Sequence, residues 1–189
     1  MLQFEEKLME LTGRSTSLRP FVCEGNPLSC EVFIVGTNPA TQTRSDFWDF
    51  WRNSYGFDKQ AWFSSYLKDR QALAARNPAK RVRSISNTRQ RLEWLIEEAA
   101  PLACLETNLF VKATASERDL LLVDRQTAIF EFLLNTIRPR LIIAHGKQAQ
   151  EGVRLINPQT RVVEVPHFSR GWSQEKTRAF GRSLKQQIS

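Results

Sequence analysis

The sequence predicts an α/β fold in three layers, with helices on both faces of a four-stranded parallel sheet, in one domain spanning residues 1–189. Three observations lead there. Short apolar runs alternate with longer amphipathic stretches four times along the chain. The clearest runs, residues 32–35 (VFIV) and 141–144 (LIIA), are apolar without alternation, as in strands covered on both faces. Each strand ends in a polar cluster holding Asn38, Asn108, His145 or His167. In open α/β sheets ligands bind beyond the carboxyl ends of the strands, so these four side chains are the first candidates for a site.

The elements follow in order. Phe4, Leu8 and Leu11 share one helical face, so residues 2–12 read as a short helix closed by Gly13. Residues 14–30 hold Pro20, Gly25, Asn26 and Pro27 and read as loop. The first strand, within residues 31–41 (EVFIVGTNPAT), ends at Gly36 and turns through Thr37, Asn38 and Pro39. Ser45 is expected to cap a helix over residues 45–54 that groups Phe47, Phe50 and Trp51, with Trp48 on its flank. Residues 58–69 read as a helix with Trp62, Phe63 and Tyr66 on its apolar side. Asn87 with Gln90 is expected to cap the next helix, whose buried stripe is Leu92, Leu95, Ile96 and Ala99. Residues 103–111 (ACLETNLFV) form the second strand, and residues 119–137 the longest helix. A third strand ends at His145-Gly146, a helix covers residues 147–156, and the fourth strand runs over residues 161–165. The last helix, about 173–187, places Thr177, Phe180, Leu184 and Ile188 on one face.

Composition narrows the partners. The formal net charge is +7, which favours a polyanion, nucleic acid first. Residues 70–91 carry Arg70, Arg76, Lys80, Arg81, Arg83, Arg89 and Arg91 with no Asp or Glu among them. Such a stretch repels itself unless something anionic lies beside it. Cys23, Cys30 and Cys104 are odd in number and lack metal-site spacing, so reduced thiols in the cytoplasm are expected. No apolar run reaches membrane-spanning length, and the acidic, amphipathic start is unlike a signal peptide.

The ordered strand ends resemble those of the uracil-DNA glycosylase superfamily. Gly36-Thr37-Asn38-Pro39 is similar to its first motif, closest to the GxNP form of the mismatch-specific and single-strand-selective branches. Phe47-Trp48 resembles the aromatic pair downstream of that motif. Residues 107–112 (TNLFVK) look like the segment whose Asn reads the uracil edge, and residues 141–149 (LIIAHGKQA) like the third strand and helix start. His167-Phe168-Ser169-Arg170 resembles the His-Pro-Ser-Pro motif, with Phe168 and Arg170 in place of the prolines and Gly171-Trp172 inserted before Ser173.

The resemblance implies a uracil-DNA glycosylase-like fold that cleaves the N-glycosidic bond of uracil or a related base flipped out of DNA. It implies Asn38 and His167 as catalytic residues, and Gly36, Thr37, Phe47, Trp48 and Asn108 around the base. A carboxamide such as Asn108 pairs with a carbonyl and an imide N–H together and discriminates against cytosine. A neutral His167 N–H would stabilise the departing anion. Asn38, being no general base at neutral pH, would only orient water. Arg170 and Trp172 are expected as the wedge that fills the vacated stack, with Ser169 beside them. Lys80, Arg81, Arg83 and Arg89 are expected to track phosphate. His145 is the weaker candidate, expected to be structural or to support the site residues from behind. No metal or organic cofactor is implied, and lesion-containing DNA is the expected partner of a monomer. Two alternatives stay open: a nucleic-acid-binding module without catalysis, and a hydrolase of free nucleosides or nucleotides.

Overall fold

The computed structural model describes residues 1–40, 43–76, 78–79, 82–156 and 159–188. In chain order the elements are α1 (Leu2–Thr12), β1 (Phe21–Val22), β2 (Val32–Gly36), β3 (Trp51–Arg52), β4 (Gly56–Phe57), α2 (Lys59–Arg76), α3 (Asn87–Ala99), β5 (Cys104–Asn108), α4 (Ala128–Ile137), β6 (Leu141–His145), α5 (Lys147–Ile156), β7 (Arg161–Val165) and α6 (Gln174–Ile188).

The main sheet has the order β1-β5-β2-β6-β7. Strands β5, β2, β6 and β7 are parallel, and β1 pairs antiparallel with β5 through Phe21 opposite Thr107. Gly36 sits opposite Asn108, Val35 opposite Ala144, and His145 opposite Val165. This register puts the ends of the four parallel strands at one level.

Side chains along β2 and β6 alternate between two cores, as the period of a strand requires. Phe33, Val35, Ile142 and Ala144 join the cluster holding Phe4 and Leu8 of α1 and Phe130 and Leu133 of α4. Val32, Ile34, Leu141 and Ile143 join Leu92, Leu95 and Ala99 of α3 and Leu184 and Ile188 of α6. Each fully buried side chain of this size contributes roughly 1.5–3 kcal/mol. Helices α3 and α6 lie so close that a Cβ on Gly181 would stand 2.6 Å from the Leu95 carbonyl oxygen. Arg178 bridges Glu97 (2.8 Å) and Glu98 (2.6 Å) across the same pair.

The architecture matches the predicted layers, with four corrections. The sheet has five strands, because Phe21 and Val22 of the expected loop add an antiparallel edge strand. Residues 45–54 do not form a helix. Asp46 caps a short 3₁₀ turn, Phe47–Phe50, and Trp51 then pairs with Phe57 in a small hairpin, which buries the rings without a helix. Ser86 caps α3 in place of Asn87, its hydroxyl accepting the Arg89 amide at 3.2 Å. Helix α4 begins only at Ala128: a capping box between Ser116 and Asp119 starts a 3₁₀ turn, a second turn covers Leu122–Asp124, and α2 is longer, with 18 residues.

Candidate functional site

The elbow after β2 is held by the chain leaving β5. Leu109 N–H donates to the Gly36 carbonyl, Phe110 to Thr37 and Thr114 to Pro39, each at 3.0 Å. The Asn38 Nδ2 donates to Thr114 Oγ1 at 2.8 Å, and that hydroxyl donates onward to the Ser116 carbonyl at 2.7 Å. The chain therefore fixes the amide from its nitrogen side and leaves Asn38 Oδ1 without a partner among the described residues. Gly36 lies where no side chain fits: a Cβ there would stand 2.7 Å from Asn108 Oδ1 and 3.0 Å from His145 Nε2. The Asn108 carboxamide makes no hydrogen bond among the described residues, so its donor and acceptor faces are open to a ligand.

The two histidines stack edge to face, ring centres 4.8 Å apart. His145 is 6% exposed, and its Nδ1 has no hydrogen-bond partner among the described residues. Burial, with the neighbouring His167 adding to it, pulls its pKa down to about 3. His167 is more open. Its Nδ1 accepts the Ser169 N–H at 3.1 Å and lies 2.8 Å from the Ser169 hydroxyl. An acceptor at Nδ1 puts the proton of the neutral ring on Nε2. Partial burial and then the Arg170 charge lower the His167 pKa, which favours that neutral form.

These side chains line one cavity of about 430 Å³ together with Thr37, Trp62, Tyr66 and Arg19. One wall of the cavity is charged. Arg89 forks onto both oxygens of Glu106 and also reaches Glu93 at 2.8 Å. Lys59 pairs with Glu93 at 2.9 Å and lies 3.8 Å from Glu106. Burial alone would raise the Glu106 carboxyl, but the Arg89 charge and its hydrogen bonds hold it below the usual carboxylate range.

Of the residues singled out in the sequence, Thr37, Asn38, Asn108 and His167 converge on the cavity, and Gly36 lies against Asn108. Phe47 and Trp48 do not line it. Phe47 is buried against Phe21 and Phe57, and Trp48 Nε1 donates to the Gly13 carbonyl at 2.8 Å. Aromatic lining comes instead from α2, where Trp62 and Tyr66 stack 5.8 Å apart. Lys80 and Arg81 lie outside the described residues. Arg83 is exposed and donates to Asn87 Oδ1 at 2.6 Å. Arg89 is buried in the ion pairs above, so it is not a surface cation, and the anion its stretch requires is Glu106. Trp172 is likewise no exposed wedge: it is 6% exposed, packs on Phe168 and Phe180, and donates to the Pro166 carbonyl at 3.1 Å. Ser169 faces His167, and Arg170 stays exposed.

His145, picked out by its strand end but expected to be structural, also lines the cavity. Arg19, from the segment expected as loop, carries no local signal, because tertiary convergence alone brings it in. An apolar knuckle lies further along the chain, where Leu121, Leu122 and Val123 are 65%, 87% and 70% exposed. Three residues separate it from the cavity-lining segment 114–117, and Arg125 Nη2 ties its end to the Glu117 carbonyl at 3.3 Å. Among the described residues no group of His, Cys, Asp and Glu could hold a metal, and no helix is long and apolar enough to cross a membrane. Comparison with protein-family profiles finds no match, and comparison with curated protein sequences finds none either.

Proposed function

We propose that this chain is a DNA glycosylase of the uracil-DNA glycosylase fold, hydrolysing the N-glycosidic bond of uracil or a related base flipped out of DNA. The observation that carries the reading is the meeting of Asn38, Asn108 and His167 at one cavity, each with a polar atom left open. Asn108 offers a carboxamide edge to the base. The Asn38 oxygen accepts a hydrogen bond from the attacking water and orients it toward the sugar carbon. The water oxygen bonds to that carbon while the electron pair of the C–N bond leaves with the base. His167 Nε2–H donates a hydrogen bond to the oxygen where the negative charge gathers, without having to lose its proton. The proton shed by the water after it bonds to the sugar passes through solvent to the departing base anion, so the products are an abasic sugar and a neutral free base. Donors fixed before the charge develops are worth about 10²–10³ in rate each.

On this reading the knuckle of Leu121, Leu122 and Val123 takes the wedge role that the buried Trp172 cannot. Apolar side chains beside a base pocket fill a vacated stack. The test is an oligonucleotide carrying one uracil, single-stranded or opposite G or A, treated with alkali after incubation. Strand breaks in the wild type that vanish in Asn38→Ala and His167→Ala support the reading. Tight, salt-sensitive binding without breaks would favour a binding module that has lost catalysis.

A further inference from the structure

We infer that the floor of the cavity is an anion subsite built on Arg19, so that the ligand carries a carboxylate or phosphate group beside its planar ring. This rests on reading the cavity as a base pocket. Charge balance motivates it. Three cations, Arg19, Arg89 and Lys59, act on Glu106, while among the described residues Glu93 is the one further carboxylate, paired with Arg89 and Lys59. Arg89 occupies both Glu106 oxygens, and Lys59 sits against Glu93. Arg19 is left over: among the described residues its guanidinium makes no hydrogen bond and no ion pair, yet it lines the cavity.

The position of Arg19 is fixed before any ligand arrives. Its amide donates to the Val111 carbonyl at 3.0 Å, and the Thr107 hydroxyl donates to the next carbonyl, Pro20, at 2.7 Å. The backbone is thereby pinned to the end of β5, next to Asn108. Burial and then the Arg89 charge bring the Arg19 guanidinium down to about 10, so it remains charged at neutral pH. Arg19 is half-buried and feels Glu106 only at a distance, so a half-desolvated charge without a direct partner gains from an anionic ligand group. The planar fork of arginine matches the paired oxygens of a carboxylate or phosphate. Arg70, also in the cavity wall, already commits Nε and Nη2 to the Arg83 carbonyl at 3.1 and 2.7 Å, whereas the Arg19 fork has both edges unused among the described residues. A pyrimidine bearing a carboxylate would present its ring to Asn108 and its charge to Arg19.

Calorimetric titration of the intact protein with uracil, uracil-5-carboxylate, uracil-6-carboxylate and inorganic phosphate tests this. At least one carboxylate should bind about tenfold or more tightly than uracil. That advantage should vanish in Arg19→Gln and persist in part in Arg19→Lys, which keeps the charge without the fork. Phosphate binding that needs Arg19, with no gain from either carboxylate, supports the subsite and assigns it to phosphate. Equal affinity for uracil and both carboxylates with no phosphate binding overturns it, as does an advantage that survives in a natively melting Arg19→Gln. If Arg19→Gln fails to fold, the ratio of carboxylate to uracil affinity in wild type and Arg19→Lys decides. Asn108→Ala separates the two readings. Uracil binding that depends on Asn108, with no anion effect, leaves the base pocket standing and overturns the subsite. Anion binding that depends on Arg19, with uracil inert, supports the subsite and removes the base pocket.

Discussion

Acidification should destabilise this protein through His145 well before its carboxylates titrate. In the folded chain burial holds the ring neutral down to about pH 3, whereas in the unfolded chain it takes up a proton near its ordinary value of 6.5. Below about pH 6.5 the unfolded state therefore binds the extra proton. The stability contributed by a neutral, buried ring is complete above that pH and is lost as pH falls toward about 3. The slope is about 1.4 kcal/mol per pH unit, so the loss between about pH 7 and about pH 5 is about 2 kcal/mol. Against a typical total of about 5–15 kcal/mol this is readily measured. The groups facing His145 do not reverse it: Glu106 alone favours the charged ring, and burial, the largest effect, acts against that together with His167 and Arg89. Urea unfolding followed by tryptophan fluorescence at a series of pH values reports the slope. His145→Gln should flatten it over this interval, while His167→Gln removes only the smaller contribution of a more open ring. Parallel curves for wild type and His145→Gln would refute the claim that burial keeps this imidazole neutral.

Three further outcomes are expected. Gly36→Ala would drive a methyl against Asn108 and the His145 ring, so excision and uracil binding should be lost at a stability cost of about 1–3 kcal/mol; wild-type excision in this variant would remove Asn108 from the base site. Glu106→Gln leaves the buried Arg89 with Glu93 as its remaining carboxylate partner and should lower stability by about 1–3 kcal/mol, seen as a drop of several degrees in Tm by circular dichroism. Leu122→Asp, at a position 87% exposed, should leave stability within about 0.5 kcal/mol yet weaken binding to a uracil-containing duplex more than to a single strand, as fluorescence anisotropy would show.

Strands β2 and β6 were legible because a strand covered on both faces has to be apolar along its whole length, and Val32 to Val35 and Leu141 to Ala144 are so; β5 and β7, with Glu106 and Glu164 inside them, were read from their place between helical stretches. Strand β1 was not, since two residues are too few to show a period. Leu121, Leu122 and Val123 misled in the opposite sense: apolar residues just ahead of a helical pattern extend that pattern on paper, but no sheet face lies under them to bury. Asn38, Asn108 and His167 could be picked out because strand ends are positions on which a parallel sheet must converge. Arg89 and Trp172 were misplaced because residue type does not fix exposure. The partner of Arg89 sits on a neighbouring strand, and the ring of Trp172 folds back over Phe168 and Phe180. Arg19 and Tyr66 enter the cavity from segments with no chemical signature of their own.

The loop after β7 is anchored from beneath. Arg91 of α3 donates to the Phe168 carbonyl at 2.5 Å and to the Trp172 carbonyl at 2.9 Å, spanning both ends of the turn that carries Arg170. A loop gripped at both ends from a core helix has already lost its backbone freedom when the protein folds. Any phosphate that meets Arg170 would then restrict little beyond the rotamers of that one side chain, about 1.5–2 kcal/mol at most. Contact at this loop would be rapid and rigid, with selectivity set by whether the partner bends to fit and not by the loop reshaping around it.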